Sequence, residues 1–232
     1  MGKDVIIACD FPSGKDTLRF LEPFRGRDPY LKIGMELFYA EGPAFVRELK
    51  AQGFRIFLDL KLHDIPNTVG SAMKVLRGLG VDMINVHAAG GSLMMKAALE
   101  GLTGPEGKRP LLIAVTQLTS TSQELMEREL LIERPIAAVV ESYAKNACAS
   151  GLDGVVCSPL EAGLIHEKVG QGFVTVTPGI RFADGEVGDQ ARVTTPARAK
   201  ELGSDYIVVG RPITRAEDPM AAYERCVREF VD

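Results

Sequence analysis

The chain has 232 residues, 46% hydrophobic and 25% charged, with 27 basic against 31 acidic side chains and a formal net charge of −4. This is ordinary globular composition, long enough for one barrel-sized core. It excludes the basic stripe of a nucleic-acid binder, and no apolar run approaches the ~20 residues of a membrane span.

Met1-Gly2-Lys3-Asp4 leads directly into the apolar run Val5-Ile6-Ile7-Ala8-Cys9, the first expected strand, which ends at Asp10. That start leaves no room for a signal peptide, and a cytoplasmic protein is expected. Phe11-Pro12-Ser13-Gly14 reads as a turn and Lys15 to Leu21 as the start of a helix. Ser13-Gly14-Lys15 lacks the upstream glycine of a phosphate loop. Tyr30-Leu31-Lys32-Ile33-Gly34 is a second strand with a lysine inside it, and Pro43 to Gly53 a helix with Phe45, Val46 and Leu49 on one face. Phe54 to Leu58 is a third strand, running into Asp59-Leu60-Lys61-Leu62-His63-Asp64-Ile65-Pro66-Asn67-Thr68. Asn67 or Thr68 is expected to cap the next helix, where Val69, Ala72, Met73 and Leu76 recur at helical spacing.

Met83 to His87 is a fourth strand and Leu111 to Val115 a fifth, followed by Thr116-Gln117-Leu118-Thr119-Ser120. A polar connection leads to a helix marked by Ile136, Val139, Val140, Tyr143, Ala144 and Ala147. Asp153 to Cys157, Gly172 to Val176 and Asp205 to Val209 are the last three strands, and Pro219 to Val231 a closing helix. Eight apolar strands separated by helices, with no linker or clear repeat, predict a single-domain (β/α)8 TIM barrel over residues 1–232. A doubly wound open sheet is the alternative, but the first turn lacks its glycine fingerprint. Cys9, Cys148, Cys157 and Cys226 form no C-x-x-C pair and read as buried thiols in a reducing compartment. No two of the three histidines stand four apart, so no helical metal pair is expected.

Active sites of such barrels lie at the C-terminal ends of the strands. Those ends carry Asp10, Lys32, Asp59 with Lys61, His87, Thr116 to Thr119, Ser158, Pro178 and Arg211. Alternation along the third strand points Asp59 and Lys61 the same way, with Leu60 and Leu62 turned into apolar packing. Lys32, Asp59, Lys61 and Asp64 would form an array of alternating sign, in which each charge helps to keep its neighbour ionised. Such an array suits the stabilisation of charge that develops during a reaction. Gly210-Arg211 reads as a phosphate grip, because glycine admits close backbone approach and arginine matches phosphate oxygens. The segment from Phe182 to Gln190, poor in apolar residues and holding two glycines, is expected to act as a mobile lid. His87 is expected to pack near the mouth rather than to react.

The ten-residue run from Asp59 to Thr68 resembles the signature of orotidine 5'-monophosphate decarboxylases, of the bacterial group. The similarity extends to Ala8-Cys9-Asp10, Leu31-Lys32-Ile33-Gly34, Thr116-Gln117-Leu118-Thr119-Ser120, Thr177-Pro178-Gly179-Ile180-Arg181 and Val209-Gly210-Arg211. The resemblance implies a cofactor-free, metal-free enzyme that converts orotidine 5'-monophosphate to UMP and carbon dioxide, and a homodimer with shared active sites. It implies Lys61 as proton donor, with Asp59, Lys32 and Asp64 in the catalytic charged network. Asp10 and Lys32 would touch the ribose, and Thr119 and Ser158 the pyrimidine. Arg181, Gln190, Gly210 and Arg211 would hold the phosphate side, and Pro178 would also bind the substrate. Asp64, Ile65, Asn67 and Thr68 would lie on the substrate side of the motif, with Asp64 and Thr68 reaching the partner's site.

Three rivals remain at this level. Metal-dependent sugar-phosphate decarboxylases and aldolases of the same superfamily share D-x-K-x-x-D, but use an acidic ligand where this chain has Lys32. A Schiff-base aldolase needs a neutral lysine, which Asp59 and Asp64 disfavour. A binding module that keeps only the barrel has no use for the charged array.

Overall fold

The computed structural model describes residues 2–183 and 194–232. Eight parallel strands close into a barrel in chain order, with β1 paired to β8. They are β1 (Asp4–Ala8), β2 (Tyr30–Gly34), β3 (Arg55–Leu62), β4 (Met83–His87), β5 (Leu111–Val115), β6 (Gly154–Val156), β7 (Val174–Thr177) and β8 (Tyr206–Val209). The α-helices of the described residues are α1 (Gly14–Leu21), α2 (Met35–Ala51), α3 (Pro66–Arg77), α4 (Gly91–Leu102), α5 (Gln123–Arg128), α6 (Ile136–Ala149), α7 (Pro159–Val169), α8 (Pro196–Glu201), α9 (Arg211–Thr214) and α10 (Pro219–Phe230). No described helix is long and apolar enough to cross a membrane.

The two-residue period of the strands sorts their side chains into two cores. Ile7, Leu31, Ile56, Leu58 and Ile84 point outward and pack under the helices. Ile6, Phe57, Met83, Ile113, Val176 and Val208 point inward and fill the barrel. Fully burying each such side chain contributes about 1.5–3 kcal/mol. The same inward register, carried two residues further along the strands, brings Lys32, Asp59 and Asn85 to the top of that apolar plug. Polar groups therefore collect at one end because the strands continue past the level where the interior is already full.

The opposite end is closed by a recurring turn. Gly80-Val81-Asp82, Gly151-Leu152-Asp153 and Gly203-Ser204-Asp205 each precede an even-numbered strand, and each glycine has a positive φ. Each aspartate accepts a backbone N–H from the strand before: Ile56 at 2.7 Å, Leu112 at 2.7 Å and Thr175 at 2.8 Å. Lys50, Arg109 and His166 in turn hold the three carboxylates. The three-residue pattern is too short to stand out as a repeat in the sequence.

Several local expectations change. α2 begins at Met35 rather than Pro43, interrupted at Gly42 (φ 72°, ψ −171°), where the following proline disfavours a helical residue. α3 starts at Pro66 behind Ile65, with no side-chain cap, so neither Asn67 nor Thr68 is the cap. Proline at the first position needs no N–H partner, and the capping role falls away. α5, α7, α8 and α9 are not assigned by the sequence reading. α5, α8 and α9 are too short for periodicity to register, and α7 buries the polar Glu161 and His166 on its inner face. Cys148 is exposed, whereas Cys9, Cys157 and Cys226 are buried thiols. Burial pushes the Cys9 and Cys226 thiols up to about 12, which keeps both inert at neutral pH.

Candidate active site

The site is organised by an irregularity in β3. Leu58 pairs with Ile84 and Leu62 with Val86, so four steps along β3 face two along β4. Such bulges re-aim side chains at barrel rims. Within this one Lys61 adopts φ 52°, a left-handed conformation that costs a side-chain-bearing residue about 1–2 kcal/mol. Lys61 and Asp59 do share a face, as alternation predicts, but through a distorted backbone rather than a plain strand.

A continuous ionic chain crosses the mouth. Lys32 Nζ lies 2.8 Å from Asp10 Oδ1 and 3.4 Å from Asp59 Oδ2, and Lys61 Nζ lies 2.7 Å from Asp59 Oδ1. Lys32 is 8% exposed and Asp59 7%. Burial by itself would lower the Lys32 pKa, yet Asp59 and Asp10 outweigh it and hold the pKa above the usual lysine value. Burial by itself would raise the Asp59 carboxyl, yet Lys32, Lys61 and the Asn85 amide outweigh it and hold the pKa below the usual range. Both groups are ionised at neutral pH because each neutralises the other. Gly34 makes room for this chain: a Cβ there would sit 2.9 Å from Lys32 Nζ and 3.0 Å from Asp10 Oδ1.

The order of charges within one chain is thus Asp10, Lys32, Asp59, Lys61. Asp64 stands outside it, exposed, with Oδ1 accepting the Ile65 N–H at 2.6 Å. Ile65, Asn67 and Thr68 are likewise exposed at the start of α3, beyond the cavity wall.

A cavity of about 580 Å³ opens above the array. Asp10, Lys32, Asp59 and Lys61 line it, together with Thr119, Pro178, Arg181, Gly210 and Arg211. The volume is that of a nucleotide-sized ligand site. The array and the two arginines allow a ligand with an acidic reacting centre and a second anionic group. Gly210 and Arg211 stand where β8 passes into α9. The Arg181 N–H donates to the Thr194 carbonyl at 2.9 Å, joining the two ends of the segment expected to be a lid. Gln190 and residues 184–189 of that segment lie outside the described residues. Phe182 stacks under Arg225, 4.1 Å from ring centroid to guanidinium carbon.

Ser158 does not line the cavity. Its hydroxyl accepts the Leu160 N–H at 3.3 Å and Glu161 accepts its N–H at 2.9 Å, a capping box for α7. His87 is half-buried beside the ring of His63, and burial, then His63 and Lys61, lower its pKa. At Ser13-Gly14-Lys15 the Glu41 carboxylate accepts the Gly14 N–H at 2.7 Å, which puts an acid where a phosphate loop would need an anion.

Asn85 is the residue that motif reasoning passes over. It is fully buried, donates to Asp59 Oδ1 at 2.7 Å and accepts the Lys61 N–H at 2.8 Å. Its inward register on β4, an amide among apolar strand residues, is the signal that finds it. Gln117, 9% exposed and expected only as part of the run Thr116 to Thr119, also lines the cavity, as do Glu36 and Arg215, which were not singled out. Among the described residues no three His, Cys, Asp or Glu side chains form a metal-binding cluster.

Residues 3–226 match the Orotidine 5'-phosphate decarboxylase / HUMPS family. Orotidine 5'-phosphate decarboxylases of Bacillus cytotoxicus and Bacillus cereus are each 60% identical to the chain over 99% of its length and 98% of theirs. The crystal structure of the Lactobacillus acidophilus orotidine 5'-phosphate decarboxylase superposes with a TM-score of 0.89 at 46% identity, covering 99% of this chain and 100% of that one. An uncharacterized conserved protein from Geobacillus kaustophilus gives 0.87 at 52% identity, covering 97% and 99%. Identity at this level over both full lengths leaves one conclusion: the chain belongs to the orotidine 5'-phosphate decarboxylase family.

Proposed function

We propose that this enzyme decarboxylates orotidine 5'-monophosphate to UMP, with Lys61 delivering the proton to C6 and no cofactor or metal taking part. The observation that carries the proposal is the ionic chain Asp10, Lys32, Asp59, Lys61, buried at Lys32 and Asp59, facing a nucleotide-sized cavity. Loss of carbon dioxide from C6 leaves an electron pair in an orbital that the ring cannot delocalise. An ammonium at that carbon stabilises the developing charge and then transfers its proton, leaving a neutral amine that water reprotonates. Asp59, 2.7 Å from Lys61 Nζ, holds the ammonium in place until that moment. Arg181, Gln190, Gly210 and Arg211 hold the phosphate, Asp10 and Lys32 the ribose, and Thr119 the pyrimidine edge. Binding energy from the remote phosphate then assists the chemical step. Lys32, an ammonium paired with two carboxylates, stands where the metal-dependent rivals use an acidic metal ligand.

The working unit is a homodimer in which Asp64 and Thr68 complete the partner's site. Their exposure beside the equally exposed Ile65, 66% accessible, supports that reading. Lys61→Ala, assayed by loss of substrate ultraviolet absorbance in the presence of a chelator, is expected to lose at least about 10⁴-fold in kcat. It should still bind UMP. Turnover near wild type would refute the assigned donor. Mixing Lys61→Ala with Asp64→Ala protomers should restore about a quarter of the sites through heterodimers with one intact site. A mixture as inactive as its components would refute the shared site.

A further inference from the structure

The chemistry above leaves Asn85 without a task, although it touches both central groups. Its Nδ2 donates to the same Asp59 oxygen that receives Lys61 Nζ, and its Oδ1 accepts the backbone N–H of Lys61. Reversing the amide would set an NH₂ against an N–H and an oxygen against a carboxylate, so both contacts fix one orientation. The backbone ladder between β3 and β4 is interrupted over this stretch. A side chain thus supplies the acceptor that a regular strand neighbour would have given to a residue held at φ 52°.

We propose that Asn85 is a positioning residue for the decarboxylation: its amide pins Lys61 in the left-handed conformation and orients the Asp59 carboxylate, so that the ammonium meets the reacting carbon. The inference rests on Lys61 as proton donor. It also explains the residue type. Aspartate would set a second carboxylate against Asp59, an apolar side chain would leave a buried N–H and a carboxylate lone pair unmet, and serine is too short to span both.

The test compares Asn85→Ala, Asn85→Asp and Lys61→Ala with wild type, measuring kcat and KM from pH 5 to 9, UMP affinity and thermal unfolding. Asn85→Ala should lose about 100-fold in kcat, the cost of a misplacement near 1 Å, with KM and UMP affinity nearly unchanged. In Asn85→Asp the neutral carboxyl can still donate to Asp59 and accept from Lys61. The groups facing it are Asp59 and Lys61 on β3, with Lys32 behind Asp59, and His87 further along β4. β5 presents Ile113 opposite. Burial and the Asp59 charge raise the pKa of the new carboxyl, while the two ammoniums oppose them. Its activity should therefore approach wild type at low pH and fall as pH rises, a dependence that wild type and Asn85→Ala lack. Wild-type kcat in Asn85→Ala, or no recovery of Asn85→Asp at low pH, would overturn the proposal. If Asn85→Ala does not fold, the Asn85→Asp profile decides. Turnover surviving in Lys61→Ala would sink the donor assignment, whereas an inactive Lys61→Ala beside an active Asn85→Ala sinks the positioning role alone.

Discussion

Replacing Asp59 by asparagine removes the one negative charge that stands between Lys32 and Lys61 while keeping its shape. Across 2.7 Å to Lys61 and 3.4 Å to Lys32, the gross attractions at an effective dielectric of about 20 are about 6 and 5 kcal/mol. Most of that is offset. Lys32 retains Asp10 at 2.8 Å, and the Lys61 side chain, 25% exposed, can turn to water. Breaking a buried pair costs about 3–5 kcal/mol, and these escapes put the expected loss at the lower end, about 3 kcal/mol at pH 7. Urea unfolding of wild type and Asp59→Asn measures it. The pH dependence carries a second check. The folded Asp59 pKa lies below its unfolded value, so its contribution is fully present above that value, about 3.9, and is lost as pH falls through the folded pKa. The gap between the two proteins should stay level from pH 5 to 8 and narrow below about pH 4. Equal stability at pH 7, or a gap that persists unchanged in acid, would refute the reasoning that the array is mutually sustaining.

Arg211→Ala should weaken UMP by about 10- to 100-fold, the worth of a charged hydrogen bond, and leave uridine unaffected in calorimetric titration. Equal losses on both ligands would contradict a phosphate role. Ser158→Ala should lower unfolding free energy by about 1 kcal/mol through the lost cap, with KM unchanged. A raised KM at unchanged stability would restore its pyrimidine role. Gly101→Ala puts a Cβ 2.1 Å from the Gly70 carbonyl oxygen where α3 crosses α4, and should cost about 1–3 kcal/mol in a urea melt with little change in kcat. An unchanged midpoint would mean that the two helices separate freely.

The barrel was legible in the sequence because its eight strands are short apolar runs, buried on both faces and separated by helical connections. The observed strands fall within a residue or two of the expected ones, except β3, which runs four residues longer through the motif itself. Lys32, Asp59 and Lys61 were legible for a related reason: charges inside or just beyond a buried strand need partners, and alternation says which face they share. Chain order alone cannot say which charges meet. It set Asp64 in the array, whereas closure of the barrel brings Asp10 from β1 beside Lys32 of β2 and leaves Asp64 exposed. Nor could it distinguish the cap at Ser158 from a ligand contact, since both need a hydroxyl at a strand end. Local residue pattern is enough to determine periodicity and therefore the elements, the barrel and the level of its polar rim. Register decides the rest, because only when β3 and β4 are paired out of step does an amide on one strand come to hold both the backbone of a lysine and the carboxylate beside it on the other.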